Sequence, residues 1–382
     1  MSMQKAQMYT TELPQDRFII VLYITHWCNL NCKYCLQSHK DGAMMTVDTA
    51  KRVLSQQIAV AQAKGEIAYL RFMGGEPFAN FPLIKDVSEW IWEVYPEGSV
   101  DISIRTNGTL LSDQMCAWLE KHRSKLSCGP SVDGIECVNV DNRGVHIRHI
   151  DFFKNNWPNF GAHGTLTPGS VAFLYDSVSY FKQQAYKFDI KIGLGTVWSD
   201  ESASLLEQQM AKLIRYYTSH LEERPISVFL QDITKFGKSW NYKEFDCLKN
   251  HGGAVIDVTG KQFSCEVLMP LVLGEACSRT INALDSLKRL PPVDVECDKC
   301  PFRAACNNCP AMNAKFTGSV RNSAVLRTTC KAFQVQFKMT ARLVIAEFDE
   351  YIKRGLNPSE FVLQNFNAAV AVSEYFGLYC KL

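Results

Sequence analysis

Three thiols share one short stretch, CNLNCKYC (28–35), at C-x3-C-x2-C spacing. A loop this short can turn Cys28, Cys32 and Cys35 toward one metal centre, and soft thiolates suit iron–sulfur clusters or zinc. A cubane cluster has four irons. Four cysteines saturate it and suit electron transfer, whereas three leave one iron without a protein ligand. An open position of that kind is what catalytic metal centres keep for an exogenous ligand. A structural zinc loop or three buried thiols satisfies the same spacing, and the triplet alone does not decide among them. Besides the isolated Cys277, seven further cysteines fall between 247 and 330: Cys247, Cys265, Cys297, Cys300, Cys306, Cys309 and Cys330. Cys116, Cys128, Cys137, Cys277 and Cys380 are scattered singly, as small buried hydrophobes often are.

The elements that must position the triplet are legible in the apolar pattern. FIIVLYIT (18–25), IAYLRFM (67–73), VDISIRT (100–106), LSCGPSV (126–132), GTLT (164–167), IKIGLGTV (190–197) and ISVFL (226–230) read as strands. Most are near-continuously apolar, as parallel strands covered on both faces are. Helical periodicity runs from a Thr46 cap to about Lys64, with Val47, Val53, Leu54 and Ile58 on the apolar side and Gly65 after it. It returns behind Ser112 over 113–123, and over 169–186 and 200–221. Alternation of this kind builds right-handed βαβ units and a parallel sheet or barrel, with ligands at the carboxyl ends of the strands. At those ends stand the cysteine triplet, Gly74-Gly75-Glu76-Pro77, Thr106-Asn107-Gly108-Thr109 and Ser131-Val132-Asp133-Gly134. Four such segments in succession read as one ligand site.

Around Phe245 the alternation stops. Residues 241–330 are rich in cysteine, proline and glycine, so bound metal is the expected organiser. Helical character returns over 333–353. The expected division is an N-terminal extension (1–17), a barrel (18–240), a cysteine-rich domain (241–332) and a helical tail (333–382).

The 382 residues are 47% hydrophobic and 21% charged with net charge +2, which gives no support to a general nucleic-acid or membrane-surface binder. No apolar run approaches the roughly 20 residues of a membrane helix. The first 18 residues hold no apolar signal core, so a cytoplasmic location is expected. Fifteen cysteines then fit metal or redox use better than disulfides.

The triplet with Tyr34 before its last cysteine, followed by Gly74-Gly75-Glu76-Pro77, resembles the radical S-adenosylmethionine (SAM) superfamily over about 20–235. The later cysteines resemble that superfamily's SPASM extension. The resemblance implies an α/β fold: a partial (β/α)6 TIM-like barrel, then a small cysteine-rich iron–sulfur SPASM domain and C-terminal helices. It implies a 4Fe–4S cluster on Cys28, Cys32 and Cys35 whose open iron chelates SAM. One electron cleaves the sulfonium, and a 5′-deoxyadenosyl radical abstracts hydrogen from substrate. Tyr34 is expected near adenine and Gly74, Gly75, Glu76 and Pro77 at the methionine amino group. Ser131 and Arg143 are expected at the ribose or carboxylate, with Thr106, Asn107 and Asp133 nearby and Leu194 against adenine.

By the same resemblance, two auxiliary iron–sulfur clusters are expected. Cys297, Cys300, Cys306 and Cys330 would hold the outer one, and Cys247, Cys265 and Cys309 the inner one. Only Asn307-Asn308 separates the last two cysteines of the central run, where the family usually has three residues. The inner cluster lacks a fourth cysteine near Cys247, leaving His251 or Cys277 as substitutes or an open iron. A zinc ribbon satisfies the CxxC pairs too. Glu266 stands where sulfatase-maturating relatives have an aspartate, and is the candidate general base; an outer hydrogen-bond acceptor is the plainer reading.

The expected function is maturation of a ribosomally synthesised precursor peptide, oxidising or crosslinking its side chains through a C–C or thioether bond. An external one-electron donor of flavodoxin or ferredoxin type completes the partners. The 27 residues before Cys28 are too few for a winged-helix leader-binding domain, so a leader is expected to be read elsewhere. The alternatives are a sulfatase-type formylglycine maturase, a small-molecule radical dehydrogenase and, from another class, a non-catalytic iron–sulfur or zinc scaffold.

Overall fold

The near-continuous apolar runs form strands because each is covered on both faces. A computed structural model describes residues 17–239, 253–283, 297, 299–306, 309–317, 324–358 and 360–378. Strands β1 (Arg17–Thr25), β2 (Ile67–Gly74), β3 (Val100–Thr106) and β4 (Leu126–Pro130) pair in parallel, in the order β4-β3-β2-β1. β5 (Ala162–Leu166) and β6 (Phe188–Ile192) form a second parallel pair, joined to the end of β4 by a bridge between Ser131 and His163. Six parallel strands thus follow one another in chain order as an open, partial barrel.

The cysteine-rich region adds to this sheet. β7 (Ala254–Ile256) pairs in parallel with the free edge of β1, and β8 (Gln262–Phe263) pairs antiparallel with β7. Along β1, Phe18, Ile20, Leu22 and Ile24 enter the core under the helices. Ile19, Val21 and Tyr23 face the other way and pack with Phe263, Leu268, Met269 and Ala311 of the cysteine-rich region. A two-residue side-chain period therefore splits one strand between two cores.

Helices Val47–Ala63 and Asp113–Lys121 start at the expected caps: Thr46 accepts from the Thr49 amide and Ser112 from the Met115 amide. Helix Asp200–Ser219 has the expected bounds within two residues, while 169–186 contains a 3₁₀ turn (Val171–Phe173) and then helix Leu174–Gln183. Helices Phe81–Val94, Glu136–Arg143 and Ile150–Asn156 were not expected.

One strand expectation is corrected. Residues 226–230 form a 3₁₀ turn, Ser227–Phe229, rather than a strand. The run is apolar because Ile226, Val228 and Phe229 are buried against the C-terminal helix, in a core with Ala332, Met339 and Leu343. Its carbonyls are used there too: Val228 accepts from Gln336 and Phe229 from Thr340. That helix is longer than expected, Ala324–Lys353, and a second, Glu360–Tyr375, packs on it. Among the described residues no helix is long and apolar enough to cross a membrane.

Phe72 is fully buried beneath the helices that cover β2. Phe72→Ala is expected to cost about 3–5 kcal/mol, read as a lower urea midpoint, with Phe72→Leu costing less.

Candidate active site

The loop after β1 and the loop after β2 are spliced backbone to backbone. The Gly75 amide donates to Thr25 O at 3.0 Å and the Glu76 amide to Trp27 O at 2.8 Å. A Cβ at residue 74 would lie 2.6 Å from Thr25 O, and one at 75 would lie 2.3 Å from Trp27 O and 2.9 Å from Cys28 Cβ. Neither glycine has positive φ. They serve close approach to the cysteine loop rather than a left-handed turn.

Glu76 is buried (1% exposed). Its carboxylate accepts from the Phe78 amide at 3.0 Å, Thr106 Oγ1 at 2.6 Å and the Asn107 amide at 2.8 Å. Burial pushes its pKa up and these three donors pull against that. The side chain thus ties the β2 loop to the β3 loop. Asn107 Nδ2 continues the chain to Asn29 Oδ1 at 3.0 Å, and Asn29 donates to Thr109 Oγ1 at 2.7 Å. The cysteine loop is held from both sides.

A second junction lies at the end of β4. Asp133 Oδ1 accepts from Tyr34 Oη at 3.0 Å, Arg143 Nη2 at 2.8 Å and the Thr165 amide at 2.9 Å. Asp133 is fully buried and the Arg143 side chain is 9% exposed. Arg143 points inward because its helix is anchored: Asn139 accepts from the Asp133 amide and donates to Val145 O, and Gly144 ends the helix at φ 75°. Burial opposes the guanidinium charge, yet Asp133 and Tyr34 raise its pKa above the ordinary value. The guanidinium sits 5.6 Å from the Tyr34 ring centroid. Asp133 Oδ2 and Arg143 Nε are buried without a partner among the described residues.

These junctions frame a cavity of about 280 Å³ lined by Cys28, Cys32, Cys35, Gly75, Ser131 and Arg143, among others. A second, of about 330 Å³, adjoins it and shares Tyr34, Cys35, Gln37 and Met73. Its far wall includes Thr165, Lys191, Leu194 and Glu266. Glu266 Oε2 accepts from Tyr23 Oη at 2.8 Å. Burial, and then the Glu266 charge, pushes the Tyr23 phenol well up.

The donor set fits an iron–sulfur cluster. Burial pushes the Cys28 and Cys32 thiols up, and the neighbouring thiols add to this. Cys28, Cys32 and Cys35 are half-buried around one cavity, and a metal bound there would hold them as thiolates. Among the described residues no three cysteine, histidine or carboxylate groups close on a single ion.

Of the expected SAM-site residues, Tyr34, Gly74, Gly75, Glu76, Pro77, Asn107, Ser131 and Arg143 line the first cavity and Leu194 the second. Thr106 and Asp133 line neither and act through Glu76 and Arg143. Gln37, Lys40, Met73 and Arg105 also line the first cavity and were missed. For Arg105 the signal was present. Ile102 and Ile104 face the helices, so the period-2 pattern puts Arg105 on the inner face.

Among the later cysteines, Cys265, Cys277 and Cys309 pack against the same apolar cluster. The Cys300 amide donates to Cys297 O at 3.2 Å. Burial and then Cys300 and Cys297 push the Cys330 thiol up, so these three lie close together. Cys306 follows the 3₁₀ turn Arg303–Ala305. Cys247 and His251 lie outside the described residues.

Residues 22–133 match the family model of the Radical SAM superfamily. That stretch is a radical SAM domain, of a family whose members use SAM and a 4Fe–4S cluster. The radical SAM cyclopropyl synthase TigE of Paramaledivibacter caminithermalis is 26% identical over 290 residues, 69% of this chain and 60% of that protein. The serine-type anaerobic sulfatase-maturating enzyme of Klebsiella aerogenes is 22% identical over 74% of this chain and 77% of its own. The fold is shared with native anSMEcpe with bound AdoMet (TM-score 0.64, 16% identity, 87% of this chain and 99% of that one). It is shared also with Streptococcus suis SuiB bound to precursor peptide SuiA (TM-score 0.56, 15% identity, 81% and 76%).

Gly75→Ala is expected to displace the cysteine loop. After iron–sulfur reconstitution, this variant should lose SAM binding by equilibrium dialysis while its far-ultraviolet circular dichroism stays native.

Proposed function

We propose that this chain is a peptide maturase that oxidises or crosslinks side chains of a ribosomally synthesised precursor through a C–C or thioether bond. The observation that carries the reading is the pair of adjoining cavities: one against the three thiols, the other against a carboxylate, with Tyr34 between them. The likeness to SuiB, whose structure holds the precursor peptide SuiA, and the likeness to TigE support a peptide as partner.

When bound, the 4Fe–4S cluster and SAM supply a 5′-deoxyadenosyl radical for hydrogen abstraction. Cys28, Cys32 and Cys35 hold the cluster. The Gly74–Pro77 backbone, Ser131 and Arg143 bind SAM, with Tyr34 and Leu194 packing against its adenine. Arg143 is pre-oriented by Asp133, so its charge is in place before SAM arrives. Glu266, steadied by Tyr23, accepts the proton that leaves the oxidised substrate. Cys297, Cys300, Cys306 and Cys330 hold an outer auxiliary cluster. Cys247, Cys265 and Cys309 hold an inner one, with Cys277 in the same apolar cluster as two of these. Auxiliary clusters held there would offer an acceptor for the second electron, and a flavodoxin- or ferredoxin-type donor would supply the first.

A second reading, a sulfatase-type maturase, is favoured by the likeness to the Klebsiella enzyme. A glutamate at 266 and the incomplete inner cysteine set rank it below the first.

Co-expression with any short peptide encoded beside this gene, followed by mass spectrometry, tests the reading. A loss of about two hydrogens marks a crosslink or oxidation of the kind such cofactors permit; an unmodified peptide and a converted sulfatase would favour the second reading. Glu266→Gln should still release 5′-deoxyadenosine but form product about 10²–10⁴-fold more slowly. Undiminished product formation by that variant would remove Glu266 as the base.

A further inference from the structure

One wall of the second cavity is shaped from outside the barrel. After β6 the chain runs through Gly193-Leu194-Gly195-Thr196, and Gly193 and Leu194 line that cavity. Both ends of this loop are tied. The Gly193 amide donates to Leu166 O at 2.9 Å, and Thr196 Oγ1 donates to Gly193 O at 2.6 Å. Thr196 Oγ1 also accepts from Trp198 Nε1 at 3.0 Å, and Thr196 O accepts from the buried Thr329 Oγ1 at 3.0 Å. Between these ties Gly195 turns the chain in the left-handed region, at φ 80°. The Phe316 ring covers it: a Cβ on Gly195 would fall 1.9 Å from Cζ and 2.3 Å from Cε2.

Phe316 belongs to the helix Pro310–Thr317 of the cysteine-rich region. That helix is fixed to the barrel, since its Ala311 and Ala314 share one apolar core with Ile19, Val21 and Tyr23 of β1. Phe316 itself is half-buried and belongs to none of the apolar cores of the described residues. Its ring is used on the Gly195 turn. Lys315, the residue before it, leaves the helix about 100° away and donates to Ser38 Oγ and to Val272 O (2.6 Å). Ser38 lies just past the cysteine triplet, and Val272 lines the second cavity. Two consecutive side chains therefore grip two parts of the site: the Leu194 loop and the segment that leaves the triplet. A glycine-flanked residue is costly to hold still, because glycine loses the most backbone freedom on ordering. A rigid ring against Gly195 removes that freedom before any ligand arrives.

We propose that Phe316 is a positioning residue for SAM: from the cysteine-rich region it holds the Leu194–Gly195 turn at the place where Leu194 packs against adenine. Thr329 serves the same turn from the C-terminal helix by holding Thr196. The adenosine half of SAM is then met by a wall that the barrel alone does not fix. The methionine half is met by Gly74–Pro77 and the cysteine loop, which are bonded to each other within the barrel. The proposal rests on the reading of Leu194 as an adenine contact.

Binding tests it without catalysis. Reconstituted full-length protein would be dialysed to equilibrium against SAM, 5′-deoxyadenosine and methionine in turn. Phe316→Ala should weaken SAM and 5′-deoxyadenosine about ten-fold each and leave methionine within about two-fold. Iron content and far-ultraviolet circular dichroism should stay native, because the ring lies outside the apolar cores. Phe316→Leu, which keeps apolar bulk over Gly195, should restore most of the affinity. Thr329→Val, which frees the other tie of the loop, should give a smaller loss with the same split between ligands. A merely structural role would loosen both halves of the site together. Unchanged SAM binding in Phe316→Ala, or equal losses for 5′-deoxyadenosine and methionine, would overturn the proposal alone. A native protein that binds no SAM would overturn the reading of the site, and this inference with it.

Discussion

The site depends on the absence of a side chain at residue 75. With no Cβ there, the end of β2 comes close enough to the cysteine loop for two backbone amides to bond it directly. A cluster-binding loop in a protein without bound iron has little apolar surface to fold upon, so its shape must come from neighbours. The neighbours here are main-chain groups of a buried sheet, which cost little entropy to hold still. Glu76 extends the same constraint: its amide bonds the cysteine loop and its carboxylate ties the β2 loop to the β3 loop.

A second constraint joins the cysteine-rich region to the barrel mouth. β7 continues the sheet from β1, and the residues of β1 facing the lumen bury themselves against that region. Lys315 crosses the joint to Val272 O at 2.6 Å and to Ser38 Oγ, in the segment that follows the cysteine loop. Phe316 lies so close over Gly195 that a Cβ there would fall 1.9 Å from its ring. Burial of this joint places Glu266 on the cavity wall and brings later cysteines near the first.

Much of this was legible in the sequence. β1, β2 and β3 declare themselves because sequential parallel strands need apolar residues on both faces, and the motifs at their ends declare a common ligand edge. The run at 226–230 misled because burial, not extension, makes a segment apolar, and its partner lies about a hundred residues later. Arg143 was named from a resemblance; its inward direction depends on Asn139 and the Gly144 turn, which no local pattern reveals. Arg105 was overlooked although alternation marked its face. The Asp133 junction joins four separate segments, and only the folded chain brings them together.

The central claim is that the three-thiol loop presents an open iron to SAM. Electron–nuclear double resonance on the reduced, reconstituted protein, with SAM carrying a ¹⁵N amino group, tests it most directly. A hyperfine coupling from that nitrogen to the cluster is expected, lost when Cys28, Cys32 and Cys35 are replaced by alanine while iron bound by the later cysteines remains. A reduced-cluster spectrum that SAM leaves unchanged in the native protein would contradict it.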